Sequence, residues 1–327
     1  MNTVIKHGKI SRRRFINRLI KAGLSIAGAG ALGYFFYDPV GPSGSLEGEL
    51  VSIPDFSMPR AGKKMAVVRG SVRKETLNRA FKALGGMESF VKKGDRVLLK
   101  VNAAFASPPM LSATSHPELI TACIDLCYRA GAEMVRVTDN PINDPAACFR
   151  LTGIEAAVKS AGGELVFPRD SLFRRTTVKG GSLITNWPLL FSPLEGITKL
   201  IGISPVKGHQ RSGASMAMKN WYGLLGGQRN IFHQDIHNAI KELSMMVRPT
   251  LVILDGTTSM MTNGPTGGSL SDLKNTDTMI VSTDQVAADA FGCSLLDKEV
   301  RDLPFISKAA EAGSGTAEYE SLKPIFI

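Results

Sequence analysis

Arg96-Val97-Leu98-Leu99-Lys100-Val101-Asn102 is an apolar run that closes on a lysine and an asparagine. A helical stretch over 117–130 follows it, and then a second apolar run, Met134-Val135-Arg136-Val137-Thr138, closes on Asp139-Asn140. Strand, helix and strand in this order suit a parallel sheet. The alternation extends outward from this centre. Strands are expected over 65–68, 96–101, 134–138, 164–167, 200–204, 251–254 and 278–282, with helices over 74–84, 117–130, 154–161, 213–225, 233–247 and 285–295. The expected fold is α/β, a mainly parallel sheet with helices on both faces. Residues 168–198 break the rhythm and are expected to form an antiparallel insertion or sub-domain.

The chain ahead of this domain has a different character. Ser11-Arg12-Arg13-Arg14-Phe15-Ile16-Asn17 resembles the twin-arginine export motif, and it stands before an uncharged apolar stretch over 22–37. Gly23, Gly28, Gly30 and Gly33 would each weaken a helix lying on a membrane surface. Residues 1–37 are therefore read as a twin-arginine signal or membrane anchor, cleaved or retained, that places the protein on the periplasmic side of the cytoplasmic membrane. Residues 38–63, rich in proline, glycine and serine, are expected to be a linker. The domain proper is expected over 64–327.

The formal charge of +10 would suit a nucleic-acid partner, yet seven of the 39 basic residues lie within the first 21. That leaves 32 against 29 acids, an ordinary surface, so no nucleic acid is expected. The four cysteines fit neither a disulfide scaffold nor a metal knuckle. Cys123 and Cys127 share one helix face and are expected to be buried as small apolar groups.

The polar residues that follow the strands carry the functional reading. Lys100 and Asn102, Asp139-Asn140, Lys207 and His209, Asp255-Gly256, and Thr283-Asp284 each close a strand. In open parallel sheets the ligand crevice lies outside the carboxyl ends of the strands. A single such residue is as well explained as a loop cap, but the collection points to one rim. Lys219-Asn220 and the glycine-rich stretch over 223–227 add charge and backbone donors suited to a small anionic ligand. Neither nucleotide-loop spacing is present in this segment. Lys100, Lys207 and Lys219 are expected to hold the anion and Asn102 and Asn220 to orient it, with Asp255 or Asp284 as catalytic acid or base. His233 and His237 are four apart, on one side of an expected helix. With His209 they would form a candidate site for a divalent zinc or iron ion; hydrogen bonding at the edge of the core is the alternative.

Lys100-Val101-Asn102, Leu151-Thr152-Gly153-Ile154, Val206 to His209, Met218-Lys219-Asn220 with Gly223, His233 to His237, Asp255-Gly256, Asn263-Gly264-Pro265 and Asp284 through Asp289-Ala290 together resemble the domain of unknown function 362 family, in its twin-arginine-exported branch, over residues 64–289. The resemblance implies an α/β fold, frequent association with iron-sulfur proteins and, in some relatives, a fused ferredoxin-type domain. This chain has no CxxCxxC run, so no iron-sulfur cluster is expected within it. Two functions remain open. One is an exported enzyme or cofactor-handling protein, linked to iron-sulfur redox systems, with its site on the strand-end rim. The other is a non-catalytic accessory subunit that docks on a membrane or periplasmic iron-sulfur protein.

Overall fold

A computed structural model describes residues 11–37, 41–44, 48–59 and 62–327. The chain forms two compact units, Met1–Gly41 and Pro42–Ile327. In the first, α1 (Arg12–Phe35) starts at Ser11, whose hydroxyl accepts from the Arg14 amide, and runs unbroken through its four glycines. Every described residue of α1 is exposed. No described helix is long and apolar enough to cross a membrane.

In the second unit β1 is Leu50–Val51, β2 Met65–Arg69, α2 Arg73–Ala83, β3 Arg96–Lys100, α3 Pro117–Arg129, β4 Met134–Thr138, α4 Pro145–Leu151, α5 Ile154–Ser160 and β5 Glu164–Val166. There follow β6 (Phe173–Thr176), β7 (Trp187–Leu190), β8 (Lys199–His209), β9 (Gly213–Ser215), α6 (Ala217–Asn220), α7 (Ile236–Met246), β10 (Leu251–Met260), β11 (Leu273–Ser282), α8 (Gln285–Gly292), α9 (Pro304–Glu311) and β12 (Ile325–Phe326).

The main sheet has the order β12-β2-β11-β10-β8-β3-β4-β5, with β9 folded back on β8. Its strands run parallel except β11 and β9, which are antiparallel to their neighbours. Alternation along each strand divides the core. Val97 and Leu99 of β3, with Ile201 and Ile203 of β8, pack against α2, α3 and α5 through Leu77, Phe81, Leu119 and Ile154. Leu98, Leu200, Val252 and Leu254 pack the other way, against Trp221, Ile240, Leu243, Val286 and Phe305. Parallel strands covered on both faces read as continuous apolar runs for this reason. Each fully buried leucine contributes about 2 kcal/mol by its apolar area. All four cysteines are buried and unbridged.

Residues 168–198 hold the antiparallel pair β6 and β7, a separate small sheet whose third strand, β1, lies parallel to β6. The expected linker is thus in part structural. Leu50 and Val51 pair with Arg175 and Thr176, and Phe56 is buried with its amide donating to the Arg248 carbonyl. The apolar residues Val51, Ile53 and Phe56 find core to cover, which outweighs the surrounding prolines and glycines.

Two expected helices are also different. Residues 213–225 hold β9, the short α6 and a 3-10 turn over Trp221–Leu224, because Gly213 (φ +77°) closes a hairpin onto β8. Residues 233–247 begin in a 3-10 segment, Arg229–Asp235, and become α-helical at Ile236. His233 and His237 therefore do not share one α-helical face.

Candidate functional site

Lys100 is the last residue of β3, and the strand's alternation turns it toward the layer that holds Trp221. It is fully buried. Its Nζ lies 2.8 Å from Asp139 Oδ1, 2.7 Å from the carbonyls of Val101 and Asn220, and 3.1 Å from Asn220 Oδ1. The contact with Asp139 is a buried ion pair. Burial pushes the Lys100 pKa down and the Asp139 charge opposes the shift. Asp139 Oδ2 accepts from the Ala103 amide at 2.6 Å. A Cβ on Gly223 would stand 1.9 Å from Asp139 Oδ1, so the chain passes this carboxylate only as glycine.

Asn220 clips the strands together, its Nδ2 donating to the Lys100 and Ile203 carbonyls. Asn102 is fixed by its amide to Ser115 Oγ. Arg229, which the sequence did not single out, donates to the carbonyls of Tyr222, Leu225, Asn140 and Pro141. These groups line a partly open cavity of about 150 Å³ at the carboxyl ends of β3, β4 and β8.

Two further lysines reach it. Lys207 projects from β8, donates to the Ala113 carbonyl and stands 5.1 Å from the centre of the Phe105 ring. Burial first, then the charge of Lys219, lowers its pKa to about 7. Lys219, in α6, is 8% exposed and has no hydrogen-bond acceptor among the described residues; the Tyr222 ring lies 5.0 Å from its Nζ. Burial, with Arg229 nearby, lowers its pKa to about 7 as well. Asp139 is the one carboxylate among the described residues lining the cavity, and Lys100 already sits on it.

His209 and His233 stack at the cavity wall, ring centres 5.5 Å apart. His209 Nδ1 accepts from the amides of Arg211 and Ser212, both at 3.2 Å, which leaves the proton of its neutral ring on Nε2. Burial, then the charge of Lys219, pushes its pKa down to about 2. His233 Nδ1 lies 3.2 Å from both the Asn230 carbonyl and the Tyr222 hydroxyl. The Tyr222 hydroxyl itself donates to the Arg229 carbonyl. His233 Nδ1 is thus the donor, and its Nε2 is a free base. Burial and Lys219 hold His233 below its ordinary pKa too.

Residues 97–294 match the family model described as Domain of unknown function (DUF362). The chain belongs to this family. The match spans every residue of the cavity named above. The Thylakoid-associated protein sll1697 of Synechocystis sp. is 24% identical over 263 residues, covering 76% of this chain and 78% of that protein. Among solved structures, the lactate racemase apoprotein from Thermoanaerobacterium thermosaccharolyticum is similar at 14% identity with a TM-score of 0.39, covering 75% of this chain and 61% of that one.

Within the DUF362 domain the remaining expected residues lie elsewhere. Asp255 accepts from Arg73 at 2.7 Å and from the Thr257 amide, on the layer of α2 and outside the cavity. Asp284 caps α8, accepting from the amides of Val286, Ala287 and Thr316, and pairs with Lys63 at 2.8 Å. Because β11 runs antiparallel, its end falls beside the starts of β10 and β2, on the rim opposite the cavity. His237 stacks on Phe305 at 6.2 Å and does not line the cavity. Among the described residues no group of three His, Cys, Asp or Glu is placed to hold a metal. His209, moreover, presents a proton where a metal would need a lone pair. The three histidines therefore do not make the expected metal site. Asp139 was legible as a strand-end residue, whereas Arg229 carried no spacing signal.

Proposed function

We propose that this DUF362 protein is an exported enzyme or cofactor-handling protein that binds a small organic anion in the cavity at the carboxyl rim of the sheet. One observation carries the reading: Lys207, Lys219 and Arg229 line one partly open cavity, and none of them forms an ion pair with a carboxylate among the described residues. A cavity of about 150 Å³ is the size that holds benzene, or about six non-hydrogen atoms. An anion of that size would supply the missing negative charge in a setting of low dielectric, where ionic hydrogen bonds are strong. Neutral His233 beside a proton-bearing His209 adds a base and a donor within the same wall.

The exported part of this reading is supported by Ser11 to Asn17, which resembles a twin-arginine motif at the start of α1. Thermal-shift titration with sulfate, inorganic phosphate, oxalate and pyruvate tests the site. At least one of the organic anions should stabilise the protein in a saturable manner, by about 2.7 kcal/mol at one hundred times Kd. Lys207→Met and Lys219→Met should each weaken that binding at least tenfold. No response to any of the four, or equal responses in the variants, would remove the proposal.

A further inference from the structure

We propose that Lys219 is a nucleophile that forms a Schiff base with a short 2-oxo acid held in the cavity, a reading that rests on the anion site proposed above. The three lysines differ in a way that assigns their roles. Lys100 is committed to Asp139 and three other oxygens of the protein, and Lys207 is tethered to the Ala113 carbonyl. Lys219 alone of the three has no acceptor, although it is more than nine-tenths buried and lines the cavity.

Its backbone is held firmly: Asp289, buried between α8 and α6, accepts from the amides of Ala217 and Met218 at 2.8 and 3.1 Å. An amine in this position is kept partly unprotonated at neutral pH by burial and by Arg229. That is the condition for a lysine to attack a carbonyl. The anion sought by Lys207 and the carbonyl sought by Lys219 then belong to one small molecule, and a 2-oxo acid of six non-hydrogen atoms carries both.

The step balances within the site. The Nζ lone pair attacks the carbonyl carbon while the C=O pair moves to oxygen, and His209 Nε2–H, on the same cavity wall, is the donor that hydrogen-bonds this oxygen. His233 Nε2 takes a proton from the nitrogen and returns it to the oxygen. The carbinolamine hydroxyl then leaves as water, receiving the remaining N–H proton through His233 Nε2 as the C=N bond forms, so that amine and ketone give imine and water with no change of oxidation state.

The test uses the full-length wild-type protein with pyruvate and sodium cyanoborohydride, followed by intact mass and peptide mapping. The expected result is one reduced pyruvate adduct per chain, mapped to Lys219 and suppressed by excess oxalate. Lys219→Arg should form no adduct, since guanidinium retains the charge but is not a nucleophile. No adduct, or adducts spread over surface lysines and insensitive to oxalate, would overturn the Schiff base. Oxalate binding by the wild type that survives such a result would leave the anion site standing; loss of both would remove the two readings together.

Discussion

Replacing Lys219 with methionine should stabilise the ligand-free protein, against the usual direction for a buried substitution. The amine has no hydrogen-bond acceptor to lose, and methionine fills a similar volume without a charge to desolvate. The size follows from proton linkage. The pKa falls from 10.5 to about 7 on folding, so below pH 7 the buried ammonium opposes folding by on the order of 5 kcal/mol as an upper bound. Contact with the Tyr222 ring returns about 1–2 kcal/mol, which leaves a net gain of about 3 kcal/mol at pH 6. Between pH 7 and 10.5 the unfolded chain binds the proton and the folded one does not, so wild-type stability rises with pH. The advantage of Lys219→Met should accordingly shrink to about 1 kcal/mol or less by pH 10. Urea unfolding at pH 6, 8 and 10 measures it. A variant less stable than wild type by more than about 1 kcal/mol at pH 6 would mean that the amine has a stabilising partner, and the reasoning would fail.

Gly223→Ala should cost about 3–5 kcal/mol in urea unfolding and abolish anion binding, because its methyl displaces Asp139 from Lys100; Gly268→Ala, in open space, is the neutral control. Asp284→Ala should lose about 1–2 kcal/mol as a helix cap yet leave oxalate affinity within about twofold, since it lies on the other rim; a large loss of affinity would contradict that placement. Replacing Arg12 and Arg13 together with lysine should leave the protein in the cytoplasm of a twin-arginine-competent host, as followed by cell fractionation, and normal export would refute the reading of residues 11–17.

The strands at the centre of the sheet were legible because burial on both faces makes them continuous apolar runs, as in Val97 to Leu99 and Leu251 to Leu254. So was the convergence of Lys100, Lys207, Lys219, Asn102, Asn220, His209 and His233, since parallel strands bring their carboxyl ends to one rim. The direction of β11 was missed, and Asp284 with it. A strand's own residues do not encode its direction. The expected bounds, 251–254 and 278–282, left 23 residues between the two strands, room enough for a crossover, whereas both strands in fact extend toward each other and pair as a hairpin. His237 failed because a 3-10 segment precedes α7, and three residues per turn shift the phase assumed for a helix running from His233. Arg229 was invisible because its four partners are backbone carbonyls, which any residue supplies.

The account's central claim is that two buried lysines await the charge of an anion, and binding-linked proton uptake tests it most directly. At pH 8 both Lys207 and Lys219, with pKa near 7, are mainly neutral in the free protein. A bound dianion restores their ammonium forms, so affinity should fall as pH rises above about 7, by up to tenfold per pH unit for each lysine. Titration calorimetry with oxalate at pH 8, in buffers of differing ionisation enthalpy, should show uptake of up to about two protons per anion, reduced by about one in Lys219→Met. Binding without proton uptake, or the same uptake in the variant, would contradict the claim.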